Sequence, residues 1–232
     1  MEAIVLAGGF GTRLASRLNG VPKPMAPVAG VPFLEILLLA LRNVGCRRAM
    51  LSVGYLHHII QGHFGANFEG MQLDYVIEES PLGTGGAIRT ALASATEPTV
   101  LVLNGDTFLE VDFAGMLAFH KAQSADLTLA VAHQPDIARY GEVLITGDRV
   151  TGFQEKGRSG PGWINAGVYA LNKNTPWPEG LAENFSFETS FLLPEVARRH
   201  FAAFQSHGLF LDIGIPEDLD RAQTLLAQFV RA

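Results

Sequence analysis

The sequence predicts an α/β fold, a mostly parallel sheet with helices on both faces. Three observations predict it. Short apolar strands alternate with segments of helical period along most of the chain. Several strands, such as Ala3–Leu6 and Thr99–Leu103, read as near-continuous apolar runs, the pattern of strands covered on both sides. Glycine-rich or acidic segments fall directly after those strands, where sheets of this kind bind ligands.

The elements follow in order. Ala3–Leu6 reads as a buried strand closed by the turn Gly8-Gly9-Phe10-Gly11. From Pro32 to Val44 apolar residues recur at helical spacing, with Pro32 suited to a first turn and Gly45 to the end. Ala49–Val53 and Leu73–Ile77 are further strands, with a short helix Ile59–Phe64 between them. A helix Gly85–Ala95, the strand Thr99–Leu103, a helix Ala114–Gln123 and the strand Leu127–Ala132 continue the alternation. Shorter strands are then expected at Glu142–Ile145, Val150–Glu155 and Gly167–Leu171, a helix at Phe191–Arg199, and one C-terminal helix from Pro216 to about Val230.

Composition narrows the function. The chain has 232 residues, 48% of them apolar and 17% charged, enough to offset folding entropy by burial. The net charge is −6 and no Lys/Arg run occurs, which argues against a nucleic-acid binder held by phosphate neutralisation. The longest apolar stretch, Phe33–Leu41, is too short to cross a bilayer, and no basic, apolar leader precedes it. Cys46 is the single cysteine, so no internal disulfide forms. The expectation is a cytoplasmic protein without nucleic-acid or membrane partners, whose composition leaves room for a homo-oligomer.

Four segments carry candidate chemistry. Leu6–Leu14 (LAGGFGTRL) combines small residues, whose backbone N–H groups can approach an anion, with Arg13, a permanently charged donor. Its spacing is neither that of a dinucleotide fingerprint nor that of a P-loop. A turn glycine-rich for backbone geometry alone is the other reading. In Pro22-Lys23-Pro24-Met25 two prolines fix an extended segment around Lys23, either a second cation for phosphate or a solvated surface residue. Asn104-Gly105-Asp106 ends a buried strand, and Asp212 lies between an apolar stretch and Gly214. Two such carboxylates could share one Mg²⁺, and either could be a turn or cap residue. Pro81–Gly86 (PLGTGG) is a second glycine-rich helix entry, suited to the edge of a flat base or to ordinary turn chemistry. His57, His58 and His63 lack the Cys or Asp that would complete a zinc set, and read as surface residues near a helix.

Taken together, LAGGFGTRL, PKPM, PLGTGGAI (Pro81–Ile88), NGDTF (Asn104–Phe108), Glu155-Lys156, NAGVY (Asn165–Tyr169) and DIGIPEDL (Asp212–Leu219) resemble the sugar-1-phosphate nucleotidyltransferases. They occur in that family's order over nearly the whole chain. PKPMAP, PFLE, RYGEV and FSFE are similar to the guanylyltransferases that act on D-glycero-α-D-manno-heptose 1-phosphate. The resemblance implies a Rossmann-like three-layer α/β/α fold of nucleotide-diphospho-sugar transferase type, with a mostly parallel, mixed central sheet. It implies one domain over 1–232, with a nucleotide-binding half over about 1–110 and a sugar-phosphate half over about 111–232.

The resemblance also implies roles. Leu6, Ala7, Gly8, Gly9, Gly11 and Thr12 would hold the nucleotide. Arg13 and Lys23 would grip its phosphates, with Asn104 and Gly105 beside them. Pro81, Gly83, Thr84 and Gly85 would lie against the base. Asp106, catalytic together with Arg13 and Lys23, would hold Mg²⁺ with Asp212. Tyr140, Gly141, Glu155, Lys156, Asn165, Gly167 and Glu188 would line the sugar-phosphate pocket; Glu188 reads equally as a capping acid near Ser186. The implied substrates are GTP and a sugar 1-phosphate. The PLGTGGAI loop lacks the Gln that many uracil- or thymine-reading members place there, which leans toward guanine. A mannose-1-phosphate guanylyltransferase, an N-acetylmuramate-1-phosphate uridylyltransferase and a non-catalytic regulatory paralogue are the alternatives.

Overall fold

A computed structural model describes residues 1–9, 11, 14–18 and 20–230. In chain order it begins with β1 (Glu2–Leu6), α1 (Ala15–Leu18), a 3-10 turn at Lys23–Met25, β2 (Pro27–Val28), β3 (Val31–Pro32), α2 (Phe33–Asn43), β4 (Arg48–Val53), α3 (His57–Phe64), β5 (Asn67–Phe68) and β6 (Met71–Ile77). Next come α4 (Gly83–Leu92), β7 (Thr99–Asn104), β8 (Thr107–Leu109), α5 (Phe113–Ala122), β9 (Leu127–Gln134), β10 (Glu142–Thr146), β11 (Arg149–Gln154) and β12 (Gly162–Asn172). A π-helical turn at Glu188–Leu192 leads to α6 (Leu193–Glu195), β13 (Phe201–Ser206), β14 (Phe210–Asp212), α7 (Pro216–Leu225) and α8 (Ala227–Val230). No described helix is long and apolar enough to cross a membrane.

The chain forms two compact units. The first comprises Met1–Pro81, Leu103–Phe108 and Leu211–Ala232, the second Leu82–Val102 and Leu109–Phe210. In the first unit β1, β4 and β6 pair in parallel, Leu6 opposite Ser52 and Val53 opposite Ile77. The edge strand β5 runs antiparallel to β6. Ile4, Val5, Met50 and Leu51 are buried, as the unbroken apolar runs require. Helix α2 buries Phe33, Leu34, Ile36, Leu37, Leu38, Leu39 and Leu41. Arg48 joins the three parallel strands at one end, donating to Glu2 Oε1 at 2.8 Å and to Asp74 Oδ2 at 2.6 Å. Cys46 is a free, buried thiol, in keeping with a small core residue.

The second unit has mixed pairing. Strand β9 is parallel to β13 and antiparallel to β12, while β10 and β11 form an antiparallel hairpin turned through Gly147 at φ +58°. Asp112 caps α5 by accepting from Gly115 N–H at 2.9 Å. Trp177, Phe187, Phe191 and Phe201 pack together, the Phe187 and Phe191 rings stacked at 5.2 Å.

The helix expected at Phe191–Arg199 is absent as such. The π-helical turn runs directly into the three-residue α6, which carries Pro194 in its first turn, where a missing N–H is tolerated, and ends at Glu195. Strand β13 was not foreseen, and β12 starts five residues before the expected Gly167. The single C-terminal helix is split between α7 and α8 at Leu226.

Candidate functional site

In the first unit the residues singled out after β1, β7 and β14 come together. Lys23 is fixed by the turn that Met25 N–H closes on Pro22 O at 2.8 Å. Its side chain is 12% exposed, and Nζ lies 2.6 Å from Asp106 Oδ2 and 3.9 Å from Asp212 Oδ1. The Thr107 hydroxyl donates to Asp106 Oδ1 at 3.3 Å. Ile213 N–H donates to Asp106 O at 3.0 Å, bringing two residues distant in sequence to one corner. Two carboxylates gathered around one ammonium form an oxygen-donor set that attracts a cation. Such a pair fits Mg²⁺, which takes one or two carboxylates and completes its shell with water and phosphate oxygens. Among the described residues no group of three or more His, Cys, Asp or Glu could hold a metal.

The first loop is threaded tightly into this corner. Gly11 has φ +61°, and a Cβ there would come 2.8 Å from Lys23 Cβ, so glycine is required on both counts. Gly105 N–H donates to Leu6 O at 3.0 Å, and a Cβ at Gly105 would press on that carbonyl. Ala7 N–H is already committed to Ser52 O at 2.7 Å. Gly9 is exposed, Gly8 and Asn104 are half-exposed. Thr12 and Arg13, expected to grip phosphate, lie outside the described residues.

Sequence reasoning missed Glu78 and Ser52. The Ser52 hydroxyl donates to Glu78 Oε1 at 2.9 Å, and a Cβ on Gly8 would lie 2.8 Å from the same oxygen. Glu78 borders a cavity of about 680 Å³ lined also by Gly8, Gly54, Tyr55, Ile77 and Pro81, and Ser52 lies buried behind it. The available signal was an acid directly after a parallel strand, the criterion that picked out Asp106. The three histidines lie on α3, where His57 Nδ1 is 2.8 Å from Gln61 Oε1 and His63 Nε2 3.3 Å from Glu35 Oε2.

In the second unit, the glycines of the PLGTGG loop admit a neighbouring segment of the chain. Gly85 N–H donates to Phe185 O at 2.9 Å, and a Cβ on Gly85 would overlap the Phe185 ring. Gly83 has φ +66°, and its Cβ would sit 2.6 Å from Phe185 O. The Thr84 hydroxyl accepts from Phe187 N–H at 2.9 Å.

Of the remaining residues Asn165 and Gly167 stand on β12, Glu188 opens the π-helical turn, and Tyr140, Gly141, Glu155 and Lys156 lie in the loops beside β10 and β11. Asn165 Nδ2 donates to the Tyr169 hydroxyl at 2.8 Å, and its Oδ1 accepts from Gly167 N–H at 3.1 Å. Gly167, at φ +70°, forms the irregularity between Asn165 and Tyr169 that turns these side chains. Burial raises the Tyr169 hydroxyl well above its ordinary pKa, so it stays protonated. Tyr140 is half-buried, its ring 5.6 Å from that of Phe210, another residue the sequence did not single out. A Cβ on Gly141 would lie 2.8 Å from Gln154 O. Glu155, Lys156 and Glu188 are exposed. Ser186, not Glu188, supplies the local cap, its hydroxyl accepting from Thr189 N–H at 3.2 Å.

A glycine-rich turn after a parallel strand and two carboxylates gathered on one lysine suit an α/β protein that binds phosphate. The sequence profile of the nucleotidyl transferase family matches residues 2–228, and the chain belongs to that family. It is 44% identical over 230 residues to a D-glycero-α-D-manno-heptose 1-phosphate guanylyltransferase of Aneurinibacillus thermoaerophilus, covering 99% of this chain and 100% of that one. The enzyme of the same name from Campylobacter jejuni is 39% identical, over 94% of this chain and 96% of its own. The crystal structure of HddC from Yersinia pseudotuberculosis, also solved with GMP-PN, superposes with a TM-score of 0.84 at 38% identity, covering 96% of this chain and 97% of that one.

Proposed function

We propose that this protein joins GTP to D-glycero-α-D-manno-heptose 1-phosphate, forming the GDP-sugar and pyrophosphate. The observation that carries the reaction type is the convergence of Asp106 and Asp212 on Lys23 Nζ. The substrate pair is supported by the full-length relatives that carry this activity in their names.

A sugar 1-phosphate is an anionic nucleophile, so no covalent intermediate on the protein is required. One of its phosphate oxygens bonds to the α-phosphorus of the triphosphate, and the bond from that phosphorus to the β-phosphate bridging oxygen breaks. The obstacle is repulsion between the two anions and charge gathering on the leaving pyrophosphate. Asp106 and Asp212 would hold Mg²⁺, which when bound neutralises phosphate charge. Lys23, held by its proline-flanked turn, supplies a preorganised positive charge at the α-phosphate. Arg13 is assigned the departing pyrophosphate. Gly8, Gly9 and Gly11 let the backbone approach the triphosphate, and Pro81, Gly83 and Thr84 are assigned the base, with Gly85 packed against Phe185 behind them. Glu155, Lys156, Asn165 and Gly167 are assigned the second substrate. The buried thiol of Cys46 agrees with a reducing, cytoplasmic setting.

The test is a matrix of GTP, UTP, CTP, ATP and dTTP against heptose, mannose and glucose 1-phosphates, read as pyrophosphate release with Mg²⁺. GTP with the heptose is expected to stand out. Preference for mannose 1-phosphate or for a pyrimidine nucleotide would replace the substrate assignment, and no release with any pair would leave the regulatory reading.

A further inference from the structure

Three side chains outside the site described so far form one cluster in the second unit. Trp163, on β12, has ring centroids 5.2 Å from His133 and 5.6 Å from His207, at interplanar angles of 74° and 67°. Trp163 lies opposite His133 in the β12–β9 register, and Asn165 lies opposite Val131. Successive side chains alternate across a strand, so Trp163 and Asn165 share one face of β12, roughly 7 Å apart. Strands β9 and β13 are parallel, with His133 near the carboxyl end of one and His207 just past that of the other. Ligands of such sheets bind at that end.

The cluster offers unused polar atoms. His133 and His207 are exposed, Trp163 is half-buried, and among the described residues none of these three side chains makes a hydrogen bond. The indole N–H and the nitrogens of two imidazoles therefore stand ready beside an aromatic surface. A polyol on a short carbon stem suits that combination. The stem packs against the ring, and the hydroxyls exchange hydrogen bonds with groups that donate or accept.

We propose that Trp163, His133 and His207 form the subsite for the exocyclic tail of the sugar, the two-carbon vicinal diol that distinguishes a heptose from a hexose. The inference rests on the sugar-1-phosphate reading above, and on Asn165 lying against the sugar ring. From Asn165 the tail extends along the same face of β12 to Trp163. The subsite adds no catalytic group; it selects between substrates that react alike.

The experiment compares kcat/KM for heptose 1-phosphate and mannose 1-phosphate at saturating GTP. The variants are Trp163→Ala, Trp163→Phe and the double variant His133→Ala/His207→Ala, each checked for folding by circular dichroism. The heptose-to-mannose ratio is expected to fall about tenfold or more in Trp163→Ala and in the double variant, the scale of losing a few well-placed contacts. Trp163→Phe is expected to recover part of it, and the double variant tests the subsite should Trp163→Ala fold poorly. An unchanged ratio in the folded variants of an active enzyme overturns the subsite alone. Wild-type protein inert with both sugars overturns the reaction reading, and the subsite with it.

Discussion

The Lys23 corner of the first unit, proposed for the triphosphate, and the β11–β12 region of the second, proposed for the sugar phosphate, are built in opposite ways. Lys23 is 12% exposed and already salt-bridged, its partners standing at the ends of strands whose interiors are fully buried. Glu155 and Lys156 are exposed, and the Trp163 cluster leaves its polar atoms open. The difference follows from the task. Charge that must stabilise a transition state works best held in place beforehand. Groups that read a substrate's outline gain from meeting it as the last partner to arrive, because any internal partner would have to be displaced.

The largest expected effect falls on the phosphate corner. Asp106→Asn keeps the shape of the side chain and removes its charge. Turnover is expected to fall by on the order of 10²–10³ with the far-ultraviolet circular dichroism unchanged, by analogy with removing one preorganised group. A rate near wild type would mean that Asp106 serves only as a counterion for Lys23.

On the other side of the comparison, Gly85→Ala should act through stability. The added methyl meets the Phe185 ring, which is backed by Trp177 at 5.6 Å and by the Arg89 guanidinium 5.0 Å from its centroid. Overpacking of this kind costs about 1–3 kcal/mol, read as a lower urea midpoint. Unchanged stability with a raised KM for GTP would instead show that this glycine serves a ligand.

The smallest effect is a pH dependence. His120 is buried, its Nε2–H donating to Asn172 Oδ1 at 3.1 Å while Nδ1 accepts from the Thr128 hydroxyl at 2.9 Å. Burial lowers its pKa, and the Asn172 bond only partly opposes that. The unfolded chain therefore takes up the proton first. Stability from the neutral ring is fully present above the ordinary imidazole value of about 6.5 and is lost as pH falls below it toward the folded value. Tm should decline across that window, less steeply in His120→Gln. An equal slope in both proteins would place the titrating group elsewhere.

Legibility in the sequence differed between the units. The first was readable because its signals are local. A buried strand announces itself by a run of apolar residues, and chemistry follows at its end, as at Asp106. Glu78 went unseen by the same rule because it begins an acidic pair that reads as solvated surface. The second unit was harder. Gly162–Ala166 carries little strand pattern of its own, yet pairs with β9 as part of an eleven-residue strand. Phe201–Ser206 has two alanines and a glutamine, and is a strand because β9 and β11 flank it. The helix expected at Phe191–Arg199 starts three residues earlier, as a π-helical turn, and stops at Glu195.

By itself the sequence determined the alternation of buried strands and helices, the glycines where backbone must turn or approach, and the chemical types at each strand end. Those depend on neighbours within a few residues. Only the tertiary structure decided that Asp106 and Asp212, separated by 106 positions, face one ammonium. It also decided that Phe185 fills the space left by Gly85, and that an indole meets two imidazoles, one on β9 and one just past β13. Such meetings depend on strand register and chain crossing, which arise from burying the whole set of apolar faces at once.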